Sequence, residues 1–359
     1  MHVAILTNTA WLDDELPQLR PLVVGLIDEQ VRVAQVVPLR LSEDDTSAFG
    51  ERITWQEHPW GWLNTRRVVA LAEKLEEAEV DLLHIMHGRM WAAGLQLAQK
   101  LDLPIALSIA SSEEVEQAAS LLRSRPKVRI AFAAATNTIG KSLNERLGPD
   151  AQVHVIPLGA HVVKADVPPT PDGVLCAVVV GNGEYDEDYR ELLDGIALYV
   201  QLQPEAQFFF DTQEGDQHRT WREANKRGLS ANMSLAPHRL GHRELLLRAD
   251  VILQPQALSR ARSLTLSAMA AGLPIIAKPD SWLDYLVDDQ TAWLCKTGLA
   301  AEWHELIKRV ADDEPSARKL GQSAQQWIAA RHTPAKQVSL MISMYRRLTG
   351  EAFKFSEAS

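Results

Sequence analysis

At 359 residues the chain is long for a single hydrophobic core, so two domains are expected. Its 46% hydrophobic and 23% charged residues are typical of a globular protein, and its formal net charge of −10 argues against a general nucleic-acid binder. Two cysteines exclude a disulfide scaffold, and no metal-ligand or cofactor motif stands out.

Hydropathy gives no indication of a membrane span or a targeting segment. No window approaches about 18 consecutive apolar residues, which a transmembrane helix needs. The first residues lack a basic head, and their apolar run is too short for a signal peptide. We therefore expect a soluble, cytoplasmic protein with no transmembrane segment.

The chain opens with a strand, a loop, a helix and a second strand, predicted at residues 3–6, 7–14, 16–29 and 31–37. The loop contains no glycine, so its backbone cannot approach a phosphate as a dinucleotide-binding turn does. The side chains of Asn8 and Thr9 can still hydrogen-bond a sugar hydroxyl.

Two tryptophans, Trp60 and Trp62, precede a predicted helix at 64–78. Their flat apolar rings could stack on the face of a sugar. The pattern favours the alternative, in which they pack beneath the helix.

Residues 81–87 predict a parallel strand, which is followed by a helix through residue 100 and a strand at 104–108. His87 falls at the carboxyl end of the first strand, where a parallel sheet gives access to a substrate. A structural role for this histidine is the alternative.

Four basic residues follow the next predicted helix, namely Arg123, Arg125, Lys127 and Arg129. Such a cluster can hold acidic lipid headgroups or phosphates. The pattern favours solvated cations that complement the dipole at the end of the helix.

A polar, proline-rich stretch at residues 164–173 predicts a linker, after which the alternation of strands and helices starts again. The strand at 174–180 is followed by Gly181, Asn182 and Gly183. A Gly-Asn-Gly turn at the end of a strand can present backbone N–H groups to an anion.

The most informative stretch follows the apolar strand at 250–255. Residues 264–271 predict a helix that ends at Gly272, and residues 274–277 predict the next strand. Strand, helix and strand form one unit of a parallel sheet, in which ligands bind at the carboxyl ends of the strands. The loop at 256–263 is therefore a candidate ligand-binding loop.

Two segments resemble one known family. The sequence ADVILQP followed by SAMAAGLPIIA, within residues 249–277, and the sequence DLLHIMHG, within residues 81–108, are similar to segments of the retaining glycosyltransferases of the GT-B fold, family four (group one). The order of elements over residues 1–348 is similar as well. The resemblance implies an α/β fold with two Rossmann-like, doubly wound domains facing a cleft.

The resemblance also implies domain boundaries. Residues 1–163 would form the N-terminal, acceptor-side domain and residues 174–333 the C-terminal, donor-side domain, joined by the linker at 164–173. The last helix, at 334–348, would cross back to the first domain.

The donor-site loop departs from the family pattern. In the family this loop carries two glutamates eight residues apart, with glycines after the first. Here Ser259 and Ser267 stand at the glutamate positions, and two arginines stand at glycine positions. The site residues that the resemblance implies are His87 as the catalytic candidate, Asn8 and Thr9 on the acceptor side, and Gly181, Asn182, Gly183, Ser259, Arg260, Arg262, Ser263 and Ser267 for the donor.

Further departures affect the diphosphate and the transferred sugar. The arginine and lysine that neutralise the diphosphate in the family are absent from residues 182–188, which carry acidic side chains instead. Acidic groups near a diphosphate repel it by on the order of 1 kcal/mol per pair even in water. Ala110 stands where the family commonly has a histidine near the sugar.

Two functions therefore stay open from the sequence. The first is a glycosyltransferase that moves a sugar from a nucleotide-sugar donor to an unknown acceptor, with Arg260 and Arg262 replacing the missing cations. The second is a catalytically inactive pseudoenzyme that kept the fold and serves as a binding or scaffold protein. Neither hypothesis calls for a cofactor or a metal ion.

Overall fold

The computed structural model describes residues 1–39, 50–56, 65–123, 127–162, 173–181, 185–212, 217–237 and 245–350. The chain divides into two compact units. Unit 1 comprises Met1–Gly159 and Pro334–Ser359, and unit 2 comprises Ala160–Thr333. Each unit holds one parallel β-sheet.

The described strands of unit 1 are β1 (His2–Leu6), β2 (Arg32–Pro38), β3 (Glu51–Trp55), β4 (Leu82–Ile85), β5 (Ile105–Ile109), β6 (Ile130–Ala134) and β7 (Gln152–Val155). They form a seven-stranded sheet in the order β3-β2-β1-β4-β5-β6-β7. Every residue of β1 and β4 is buried, as expected of a parallel sheet covered on both faces. Because β1 and β4 are neighbours, the loops after them leave the same edge side by side.

The described strands of unit 2 are β8 (Cys176–Val180), β9 (Gln207–Thr212), β10 (Met233–Pro237), β11 (Val251–Gln254), β12 (Ile275–Ala277) and β13 (Trp293–Leu294). They form a six-stranded sheet in the order β10-β9-β8-β11-β12-β13. The strands β8, β11 and β12 are therefore neighbours, and their following loops meet at one edge.

Helices connect the strands as crossovers. They are α1 (Thr9–Asp28), α2 (Thr65–Glu77), α3 (Trp91–Leu101), α4 (Ser112–Arg123), α5 (Asn137–Leu147), α6 (Glu187–Leu202), α7 (Gln217–Lys226), α8 (Ser263–Ala270), α9 (Ala300–Asp312), α10 (Glu314–Arg331) and α11 (Pro334–Thr349). Of these described helices, none has the length and apolar character needed to cross a bilayer.

The first helix begins earlier than predicted, and the predicted loop at 7–14 is wrong. The side chain of Asn8 caps α1, since its Oδ1 accepts a hydrogen bond from the backbone N–H of Trp11 at 2.9 Å. The helix continues through Pro17 and Pro21, each of which lacks a backbone N–H. Buried leucines and valines on the core face of α1 hold these turns in place.

The C-terminal helix is part of the core of unit 1. A Cβ atom at Gly25 of α1 would come within 2.7 Å of a methyl group of Val338 on α11, so only glycine allows this close packing. Farther along α11, Tyr345 is fully buried and contacts His84 of β4.

Several sequence predictions fall outside the described residues. They concern Trp60, Trp62, Arg125, Asn182, Gly183 and residues 164–172 of the predicted linker.

Candidate functional site

The ends of three neighbouring strands converge in unit 2. β8 leads into Gly181 and then α6, β11 leads into residues 255–262 and then α8, and β12 leads into Lys278. In an open parallel sheet, ligands bind at this edge, where helix N-termini favour anions. We call residues 181, 185–190, 255–263 and 278–282 the carboxyl edge of unit 2.

Arg262 joins two of these loops. Its Nη1 donates a hydrogen bond to the carbonyl oxygen of Gly181 at 2.5 Å, and the residue is only 5% exposed. Gly181 itself lies over Tyr189, whose hydroxyl would stand 2.1 Å from an added Cβ. Burial raises the pKa of the Tyr189 hydroxyl, and the positive charge of Arg262 opposes this shift. The guanidinium of Arg262 therefore holds the backbone at Gly181, the first residue after β8.

Asp186 ties the same loops together a second time. Its Oδ1 accepts from the backbone N–H of Tyr189 at 3.0 Å and caps α6, while its Oδ2 accepts from Nε2 of Gln256 at 2.6 Å. Gln256 is buried in the loop after β11. The loops after β8 and β11 therefore form one connected surface.

Asp280 sets the shape of the loop after β11. Its carboxylate accepts from the backbone N–H of Ser259 at 2.7 Å and from that of Trp282 at 3.0 Å. Ser259 has a φ of +51°, in the left-handed region that serine seldom adopts. The buried carboxylate stabilises this conformation and so fixes the loop in advance of any ligand.

Lys278 brings a cation to the edge that the sequence interpretation missed. It follows β12 directly, and its Nζ donates a hydrogen bond to Oδ1 of Asp188 in the first turn of α6. The signal was available in principle, since a residue just after a strand of a parallel sheet lies at the ligand edge.

The acidic stretch before and within α6 is compensated where the structure describes it. Asp188 pairs with Lys278, and Glu187 pairs with Arg190 at 2.8 Å. The repulsion expected from this stretch is therefore reduced for these groups.

The structure places most of the predicted donor residues together. Gly181, Ser259, Arg260, Arg262 and Ser263 all lie at the carboxyl edge of unit 2. Ser263 is buried as the first residue of α8, and Arg260 is half-buried in the loop before it. The remaining described candidate, Ser267, is half-buried one turn into α8.

In unit 1, two predicted residues meet at the ends of β1 and β4. The Nδ2 of Asn8 lies 3.5 Å from Nδ1 of His87. The backbone N–H of Arg89 donates to the same Nδ1 at 3.2 Å, so this nitrogen is an acceptor and the ring proton lies on Nε2. Asn8 is buried, whereas the neighbouring Thr9 is exposed.

Glu114 is a buried carboxylate that sequence reasoning overlooked. Its Oε1 accepts from the backbone N–H of Gly88 at 2.9 Å, and its Oε2 accepts from that of Ala110 at 2.8 Å. It therefore fixes the loops after β4 and β5. The signal was the capping-box sequence from Ser111 to Glu114, whose serine Oγ accepts from the Glu114 N–H at 3.2 Å.

Metal chemistry has no visible basis in the part of the chain that the structure describes. No group of three or more histidine, cysteine, aspartate or glutamate side chains there could hold an ion.

Comparisons with known proteins agree with this architecture. Residues 165–327 match the family described as Glycosyl transferases group 1. No curated protein matches the chain.

Solved structures match nearly the whole chain. HepE of Anabaena in complex with UDP and glucose has a TM-score of 0.75 at 12% identity, covering 97% of this chain and 100% of that chain. Sucrose-phosphate synthase from Thermosynechococcus elongatus has a TM-score of 0.73 at 15% identity, covering 98% and 100%. A co-structure of S. aureus MnaA with UDP has a TM-score of 0.68 at 11% identity, covering 98% and 97%.

The chain therefore has the GT-B fold, with two Rossmann-like domains, as the sequence predicted. Within it, residues 165–327 are similar to the glycosyl transferase group 1 family.

Proposed function

We propose that the protein is a glycosyltransferase that takes a sugar from a nucleotide-sugar donor bound at the carboxyl edge of unit 2. The observation that carries this proposal is the preformed surface after β8 and β11. Two hydrogen bonds, from Arg262 to Gly181 and from Gln256 to Asp186, join its loops. Small-molecule sites are usually preformed in this way.

The electrostatics of the edge support an anionic ligand. Helices α6 and α8 both begin at this edge, and backbone N–H groups at helix N-termini bind phosphates. The solved structures similar to this chain include complexes of HepE with UDP and with UDP-glucose. We infer a nucleoside diphosphate sugar as the donor class.

Roles for the predicted residues follow from their positions. We assign Gly181, Ser263 and Ser267 to donor contact, with Arg262 as the residue that positions Gly181. In unit 1 we assign His87 as the catalytic candidate, because its Nε2 carries a proton that can be donated. Asn8 and Thr9 remain the acceptor-side candidates.

A cytoplasmic location is part of the proposal. The thiols of Cys176 and Cys295 are both free, which fits a reducing compartment.

Calorimetry and thermal unfolding test the donor site. We expect one of UDP-glucose, GDP-mannose and their parent diphosphates to raise the Tm by several degrees at millimolar concentration. Asp280→Ala should weaken this ligand several-fold, since it frees the backbone of Ser259. Asp250→Ala is the matched control, because Asp250 also accepts a backbone hydrogen bond, from Cys176 at 2.7 Å, but stands directly before β11, at the opposite end of the strands.

Three outcomes decide between the hypotheses left open by the sequence. A Tm shift below about a degree for every nucleotide would contradict donor binding. Binding without release of the nucleoside diphosphate over a panel of acceptors would favour the inactive alternative. Release of the diphosphate with sugar transfer would establish the enzyme.

A further inference from the structure

Lys278 occupies an unusual position for a lysine at the carboxyl edge of unit 2. It stands directly after β12, yet its ammonium group reaches the first turn of α6, where it contacts the carboxylate of Asp188. The side chains of Lys278 and Asp188 are 33% and 24% exposed. Both groups are therefore close to solvent and within reach of a ligand.

The first turn of α6 is suited to an anion. The first backbone N–H groups of a helix have no acceptor within the helix, and Asp186 takes up that of Tyr189. The hydroxyl of Tyr189 is fully buried beneath Gly181, and it has no hydrogen-bond partner among the described residues. The start of α6 therefore offers backbone N–H donors to an anion.

The segment that leads into α6 lacks positive charge in its own sequence. Residues 182–188 contain no lysine or arginine. Lys278 supplies a positive charge to the first turn of α6 from another strand. An ammonium group carries three N–H donors, so Lys278 can hold Asp188 with one and a phosphate with another.

We propose that Lys278 is the cation that binds the diphosphate of the donor at the N-terminus of α6. The inference rests on the proposed function. Asp188 holds the ammonium group beside the helix, and its carboxylate competes with the phosphate for that charge. The alternative is an ion pair that only ties β12 to α6, which would affect folding stability but not nucleotide affinity.

Calorimetry with UDP and GDP, and with uridine and guanosine, distinguishes a diphosphate-binding lysine from an ion pair that only stabilises the fold. We expect Lys278→Met to weaken the better-bound diphosphate by more than tenfold while leaving its nucleoside within twofold. Asp188→Asn should tighten the diphosphate several-fold, because it removes a nearby negative charge. Raising the salt concentration should weaken diphosphate binding more in the wild type than in Lys278→Met.

Lys226→Met is the matched control. Lys226 pairs with Glu223 at 2.6 Å in the same unit, but it ends α7 before β10, at the opposite end of the strands, and its side chain is 62% exposed. Its replacement should leave both affinities unchanged. Equal diphosphate affinity of Lys278→Met and the wild type would overturn the role of Lys278. Failure of the wild type to bind either diphosphate would instead overturn the proposed function, and this inference with it.

Discussion

Single residues at the carboxyl edge of unit 2 act mainly on other protein groups. Arg262 was predicted to face a diphosphate, but its Nη1 hydrogen-bonds a carbonyl oxygen inside the protein. A charged donor that loses its partner, or an acceptor that loses its donor, is costly when buried. The stability of the edge should therefore depend on this arginine.

We predict that Arg262→Met lowers the free energy of unfolding by about 2 kcal/mol, because the buried carbonyl of Gly181 loses a charged donor. Urea unfolding followed by tryptophan fluorescence measures this change. Arg260→Met in the same loop is the control and should lower the free energy of unfolding less, since Arg260 is only half-buried. A smaller loss for Arg262 than for Arg260 would contradict the role assigned here.

The two thiols give a second test at this scale. Burial raises the pKa of Cys176 to about 11 and that of Cys295 to about 12, so neither forms a thiolate near neutral pH. We predict that a disulfide reagent at pH 8 labels neither thiol of the native protein within minutes and labels both after denaturation. Rapid labelling of either thiol in the native protein would show that this thiol is accessible and contradict its burial.

Among the elements, the strands were the easiest to predict. The buried strands β8 and β11 appear in the sequence as short apolar runs, as strands covered on both faces do. The start of α1 was missed, because the helix that Asn8 caps continues through two internal prolines, Pro17 and Pro21. Lys278 and Asp188 are separated by 90 residues, so no local pattern could have paired them.

The packing of α11 on the sheet of unit 1 gives the free energy of unfolding a specific pH dependence. His84 on β4 is fully buried, with Nδ1 2.5 Å from the hydroxyl of Tyr345 on α11 and Nε2 2.9 Å from Oγ of Ser108 on β5. Burial lowers its pKa from about 6.5 to about 3. The folded state therefore keeps His84 neutral where the unfolded chain binds a proton.

The sign of the effect follows from this difference. The contribution of neutral His84 to the free energy of unfolding is fully present above pH 6.5. It is lost as the pH falls towards 3, by up to about 1.4 kcal/mol per pH unit. Between pH 7 and 5 the wild type should lose about 2 kcal/mol more unfolding free energy than His84→Gln, which cannot titrate. The exposed residue His161, changed to Gln, is the control and should follow the wild type. Identical acid sensitivity of the wild type and His84→Gln would contradict this account.

At the scale of the whole molecule, two parallel sheets, each with a core of its own, give two candidate edges for chemistry. The fold follows from the alternation of apolar runs and helices, and the comparisons show that this architecture occurs in proteins with as little as 10% identity to the chain. The positions of Asn8, His87, Gly181 and residues 259–263 followed from the same rule, since they lie in the segments after β1, β4, β8 and β11. Their partners did not, because Glu114, Asp186 and Asp280 reach across loops that are distant in sequence.

Hydrogen exchange provides a test of how a donor acts on this two-unit chain. A nucleoside diphosphate bound at the carboxyl edge of unit 2 should slow amide exchange in residues 185–190, 255–263 and 278–282, since these loops hold it. The sheet of unit 1 should change little in β1 to β3, which lie in the other unit. Lys278→Met should abolish the protection of 185–190 at a UDP or GDP concentration that saturates only the wild type. Protection confined to unit 1 would place the ligand elsewhere, and the loops joined by Arg262 and Asp186 would then serve the fold alone.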